Sequence, residues 1–251
     1  MANEYSQVFN RAGVGAVDQA AFDAGLRSHM LSVYNYMASG LALSGIVAML
    51  MFMSPDLAKT FIQFNARGQV VGFTILGWVA MLAPIGLLLL VGFKAATMSL
   101  GSIQAIYWTL TVLMGISLSV LLFRYTGASV ARTFFITAAA FGALSLYGYT
   151  TKRDLSGMGK FLFMGLIGLL LAWIVNMIWP SGTMSFIISA VGVLIFSGLI
   201  AYDTQRIKEE YAEAWGSDML GKIAVLGALS LYLNFVNLFQ FLMSFLGQER
   251  E

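Results

Sequence analysis

Cysteine is absent from all 251 residues, and histidine occurs once, at His29. Without thiols the chain can form no disulfide, iron–sulfur cluster, thiolate metal site or cysteine nucleophile, and a single imidazole removes most histidine chemistry as well. Charge is scarce: Asp, Glu, Lys and Arg together supply 10% of the residues, whereas a soluble domain needs about 25% to wet its surface. The 14 basic and 12 acidic residues are scattered along the chain at a net charge of +2. That pattern gives no basis for a nucleic-acid partner or for electrostatic capture of an acidic one. Hydrophobic residues reach 59%, a composition that belongs in a lipid bilayer.

A helix needs about 20 residues to cross about 30 Å of hydrocarbon. Seven apolar stretches, with charge only at the edges of the last two, are long enough, at 31–53, 71–93, 103–123, 133–150, 161–180, 183–203 and 222–246. They are continuous apolar blocks, not the short alternating segments of a barrel, so the fold class is an all-α integral membrane protein with seven transmembrane helices. Residues 1–27 are polar and form a cytoplasmic N-terminal segment, with 28–251 as the transmembrane domain. The first apolar run is too long for a signal peptide, so that segment is expected to be retained.

Orientation follows from Lys and Arg in the connections. With the N-terminus inside, nine lie on the inner side (Arg11, Arg27, Lys94, Lys152, Arg153, Lys160, Arg206, Lys208, Lys222) and five on the outer (Lys59, Arg67, Arg124, Arg132, Arg250). This bias places the N-terminus in the cytoplasm and, after seven crossings, the C-terminus outside. A re-entrant seventh span would return the C-terminus to the cytoplasm. Small residues four apart, Gly40 with Ser44 and Gly115 with Ser119, allow helix backbones to approach closely. Pro84 can kink the second span.

Asp203 is the one acidic residue within or at the edge of an apolar span. A carboxylate at membrane depth is costly and marks a pathway, relay or sensor. The blander alternative is that the run before it already spans the bilayer and leaves Asp203 among the headgroups. In the seventh span Gly227, Ser230, Asn234, Asn237, Phe241 and Ser244 recur at intervals of three and four, with Gln240 at the margin, and therefore share one helical face. Such a face points into the bundle, either toward a wet cavity or into a hydrogen-bonded seam with another helix. If spans six and seven form a hairpin turning through residues 216–221, Asp203 and Asn234 are equidistant from the turn and level with each other. Span six then continues as a helix beyond the membrane through Arg206, Lys208, Glu209, Glu210 and Glu213.

Three suggestive patterns fail on chemistry. Gly216, Gly221 and Lys222 have phosphate-loop spacing, but Ile223 stands at the magnesium-binding Ser/Thr position. No lysine lies between Ile223 and Leu246 to form a retinal Schiff base. Asp203 has no second carboxylate within the spans to make an aspartyl-protease pair. No nucleophile and base constellation points to an enzyme, and His29 reads as an interfacial residue, not a ligand.

Tyr202-Asp203-Thr204-Gln205 and Leu231-Tyr232-Leu233-Asn234-Phe235-Val236-Asn237-Leu238-Phe239 together resemble the bacterial branch of the Bax inhibitor-one, or transmembrane Bax inhibitor motif, family. Gly25-Leu26-Arg27 and the segment from Tyr149 to Leu155 add support. The resemblance implies a seven-helix bundle with the last helix central, in the bacterial inner membrane, acting as a pH-sensitive calcium leak. It implies a pH sensor of two aspartates, mapping to Asp203 and to Asn234. Here the sequence departs from the family, because an amide cannot share a proton by like-charge repulsion. It also implies a basic latch on the aspartate, for which Lys94 is the nearest candidate.

The expected function is therefore a pH-modulated cation leak with Asp203 and Asn234 as the sensing and ion-binding pair and Ser230, Asn237 and Gln240 lining the path. No cofactor is expected. Calcium takes six to eight oxygens, so with one carboxylate, Asp203, any calcium site is weak and completed by amide, hydroxyl, backbone and water oxygens. The alternative is a non-conducting membrane interaction protein that modulates membrane proteostasis or stress responses. Its partners would be the lipid bilayer and another membrane protein, not cations.

Overall fold

The computed structural model describes residues 16–214 and 219–250. Eight helices lie among them: α1 (Ala16–Met53), α2 (Pro55–Phe61), α3 (Ile75–Lys94), α4 (Leu100–Arg124), α5 (Gly127–Thr150), α6 (Ser156–Ile178), α7 (Gly182–Ala214) and α8 (Leu220–Leu246). All but the short α2 are long and apolar enough to cross a membrane, so the seven expected spans are α1 and α3 to α8. The sixth and seventh spans of the sequence are thus α7 and α8.

Helix starts follow local chemistry. The Thr74 hydroxyl accepts the Gly77 N–H at 3.0 Å and caps α3, and the Ser99 hydroxyl accepts the Ser102 N–H at 3.2 Å to cap α4. Pro55 stands at the start of α2, where its missing N–H costs nothing.

Two boundaries differ from the sequence expectation. The second span does not begin at 71: Val70–Phe73 is a strand, β2, pairing antiparallel with β1 (Ile62–Phe64), and the helix starts at Ile75. Between the strands, Asn65 Oδ1 accepts the N–H groups of Arg67 and Gln69, and Gly68 takes φ +77°. That is turn chemistry for which asparagine and glycine are suited. At the other end of the chain, α1 runs unbroken across residue 27, so 16–27 continue the first helix, while residues 1–15 lie outside the described residues.

The chain divides into two compact units, residues 1–35 with 135–245 and residues 36–134 with 246–251. In the second unit Gly40, Ser44 and Gly115, three of the small residues read from the sequence, form one seam between α1 and α4. Gly40 leaves room for the Tyr107 hydroxyl, Ser44 donates to the Thr111 carbonyl at 2.7 Å, and Gly115 lies against Val47 and the Ser44 carbonyl. The tail after α8 returns to the connection between α4 and α5. Thr126 N–H donates to the Gln248 carbonyl and Arg250 N–H to the Arg124 carbonyl, both at 2.9 Å. Arg124 pairs with Glu249, and Arg250 lies over the Phe52 ring at 4.8 Å. The tail therefore meets the end of α4.

In the first unit α7 is the common partner. Gly148 of α5 lies against the Ala201 carbonyl, Gly159 of α6 under the Tyr202 ring, and Leu162 of α6 against Gly198. α8 runs antiparallel along it, with Gly227 on Ile207, Phe241 on Gly192 and stacked 5.7 Å from Phe196, and Ser244 donating to Ser189 at 2.8 Å. The polar stripe expected on the last span is this seam. The turn joining α7 to α8 was expected to run through residues 216–221, of which 216–218 lie outside the described residues.

Candidate functional site

Four consecutive residues of α7 each fasten a different element. Successive helical side chains point about 100° apart, so such a turn has to be enclosed on every side to hold them. Tyr202 packs over Gly159 of α6. Thr204 donates to the Ile200 carbonyl at 2.8 Å and meets Ser145 of α5 at 3.0 Å, which in turn meets the Tyr34 hydroxyl of α1 at 2.7 Å. Gln205 accepts the Leu155 N–H and donates to the Arg153 carbonyl, both at 2.8 Å, clamping the connection between α5 and α6. In that connection Asp154 accepts the Ser156 N–H at 2.8 Å. Hydrogen bonds from Ser156, side chain first and backbone second, hold its carboxyl below the usual carboxylate range.

Asp203 faces α8 and is 6% exposed. Its Oδ2 accepts the Ser230 hydroxyl at 2.5 Å and the Asn234 amide at 2.7 Å. Its Oδ1 pairs with Arg206 Nη2 at 3.1 Å. Arg206 Nη2 also donates to Ser230 at 3.3 Å, Nε faces Glu210 Oε1 at 3.5 Å, and the guanidinium lies 5.8 Å from the Tyr202 ring. Every group placed on Asp203 is a hydrogen-bond donor. The expected contact between Asp203 and Asn234 across the α7–α8 hairpin is present.

The other sequence candidates separate. Ser230 joins the cluster. Asn237, one turn further on, donates back to the Leu233 carbonyl of its own helix at 2.8 Å and is half-buried. Gln240, at the margin of the stripe, is exposed. Lys94 is exposed at the end of α3. The cation on Asp203 is Arg206, which the sequence reading had left in the water-exposed extension. Its signal was there: Asp203, Arg206 and Glu210 are spaced three and four apart on one helical face.

Residues 26–251 match the family described as inhibitor of apoptosis-promoting Bax1. The chain belongs to the Bax inhibitor-1 family. Within reach of this Bax inhibitor-1 chain, a protein of Caulobacter vibrioides is 47% identical over 250 residues, 99% of this chain and all of that protein. A Rickettsia prowazekii protein is 44% identical over 92% of this chain and 93% of its own length. The inner membrane protein YbhL of Escherichia coli is 39% identical over 90% of this chain and 94% of its own length. With its seven apolar helices, the present chain is a multi-pass membrane protein of this family.

Proposed function

We propose that this Bax inhibitor-1 family protein is a pH-modulated cation leak of the bacterial inner membrane, with calcium among the ions passed and the N-terminus in the cytoplasm. The observation that carries the reading is a nearly sealed carboxylate at the end of an apolar span whose positive charge comes from a half-exposed arginine on the next turn. An ionised Asp203 holds Arg206, Ser230 and Asn234 together and ties α8 to α7. A proton on Asp203 removes the attraction for Arg206, and a cation entering from water competes with the guanidinium for the same oxygens. Either event loosens the α7–α8 contact at its aqueous end. Calcium at Asp203 would be completed by hydroxyl, amide and water oxygens, and the resulting weak binding suits an ion that must also leave.

The second reading, a non-conducting interaction protein, draws support from the seam itself. Ser230, Asn234 and Ser244 all spend hydrogen bonds on α7, and a stripe so used lines no path while the seam is closed. Calcium flux into liposomes holding the purified protein, measured from pH 5 to 8 against empty liposomes, separates the two. The leak reading expects native flux above the control and loss of its pH dependence in Asp203→Asn. Absence of flux from both proteins at every pH withdraws it and leaves the interaction reading.

A further inference from the structure

One buried titratable group has no part in the Asp203 cluster: His29, the sole histidine. It lies on the buried face of α1 with Phe22, Leu26, Met30 and Val33, whereas the charged residues of that helix segment, Asp23 and Arg27, are exposed. His29 is 7% exposed, and its Nε2 has no hydrogen-bond partner among the described residues. Facing it is Tyr211 from the last turns of α7, 3% exposed, with ring centroids 5.0 Å apart. Phe22 lies 5.3 Å from the same tyrosine ring, and Gly25 is placed where any Cβ would collide with the tyrosine hydroxyl. Phe22, Gly25 and His29 of α1 thus form a seat for one side chain of α7. Of the charged groups of α7 around this turn, Lys208 donates to the Tyr149 carbonyl at 3.0 Å, Glu210 pairs with Arg206, Glu209 is half-buried and Glu213 is exposed.

We infer that His29 and Tyr211 form a proton-released clasp that seats the extended end of α7 on α1 while the imidazole is neutral and frees it when the imidazole is charged. An imidazolium carries N–H donors on both nitrogens. The seat offers Nε2 no acceptor, so a proton there would bury an uncompensated charge. In water the same imidazole takes up its proton near pH 6.5. The proton therefore binds the released state more strongly than the seated one. Below about pH 6.5 each unit of acidification multiplies the released-to-seated ratio by up to about tenfold, until the imidazole titrates in place; well above about pH 6.5 it is neutral in both states and the clasp is insensitive to pH. The freed segment carries Arg206 and Glu210, so release reaches the Asp203 cluster along α7. The clasp does not depend on whether the protein conducts.

The test uses the full chain in lipid nanodiscs, comparing native protein with His29→Phe, which fills the seat and cannot take a proton. Amide hydrogen exchange of residues 205–214 is measured for both at pH 7.5 and 5.5, so that the intrinsic pH effect on exchange cancels. Histidine-labelled native protein gives one imidazole to titrate by NMR. The expected result is equal exchange at pH 7.5 and, at pH 5.5, exchange up to about tenfold faster in the native chain as its imidazole becomes protonated. Equal exchange at pH 5.5, or an imidazole that titrates while exchange of 205–214 keeps to its intrinsic pH dependence, overturns the clasp. If His29→Phe does not fold, His29→Gln takes its place with the same expected difference, and the native titration still decides. Neither readout involves flux, so a protein that fails to leak leaves the test standing.

Discussion

α6 and α8 are both apolar helices of similar length, 23 and 27 residues, yet they hold opposite places. Of the stretch in each that would lie in the membrane, 6% is buried within the protein in α6 and 61% in α8. The more apolar helix is the more exposed one. α6 presents Phe161, Phe163, Met164, Leu171 and Trp173 outward and touches α7 through Gly159, Leu162 and Gly165. α8 carries Gly227, Ser230, Asn234 and Ser244 along one face and lays them on α7. In lipid, tails are as apolar as leucine, so hydrophobicity does not drive a helix inside. What brings it inside is close packing and polar groups that find partners.

The contrast can be broken most severely at the charge. Arg206→Met leaves the Asp203 carboxylate buried without its cation, which should cost about 3 kcal/mol, the lower end for broken buried pairs, since Arg206 is 39% exposed and two neutral donors remain. Thermal unfolding in detergent micelles should show a markedly earlier transition, and one unchanged from native would mean that the ion pair contributes little to the seam. A matched pair of glycine substitutions sharpens the comparison. Gly192→Val pushes a side chain into the Phe241 ring and should cost about 1 to 3 kcal/mol by overpacking. Gly168→Val on α6 meets open space and should leave the transition where it was. The smallest effect is expected from Ser244→Ala, which deletes one bond between helices worth about 0.6 kcal/mol. A comparable loss from Leu171→Met on the outer face of α6 would show that this seam carries no special weight.

The hairpin arithmetic that set Asp203 level with Asn234 was legible because helical rise is regular and both residues lie the same distance from the turn. The partner on the other carboxylate oxygen was not, because Arg206 lies beyond the apolar run and looks solvated when charges are counted by span. Only the pairing of α7 with α8 turns that helical face inward. His29 was hidden in the same way. At the mouth of the first span it reads as an interfacial residue, and its burial depends on Tyr211, which is 182 positions away in sequence. The β1–β2 hairpin had a local signal in Asn65 and Gly68 that the run of apolar residues beginning at Val70 obscured.

Composition and run length by themselves determined that this chain crosses a membrane seven times as helices, because a backbone in hydrocarbon must satisfy its own hydrogen bonds and only an uninterrupted apolar helix can do so cheaply. The polar stripe of the last span was equally set by sequence, since its period is that of the helix. What that stripe touches was decided by tertiary structure alone. Whether a serine or an asparagine lines water or ties two helices depends on which neighbour comes within about 3 Å, and a hydrogen bond that short forms only between elements whose backbones small residues have already let approach.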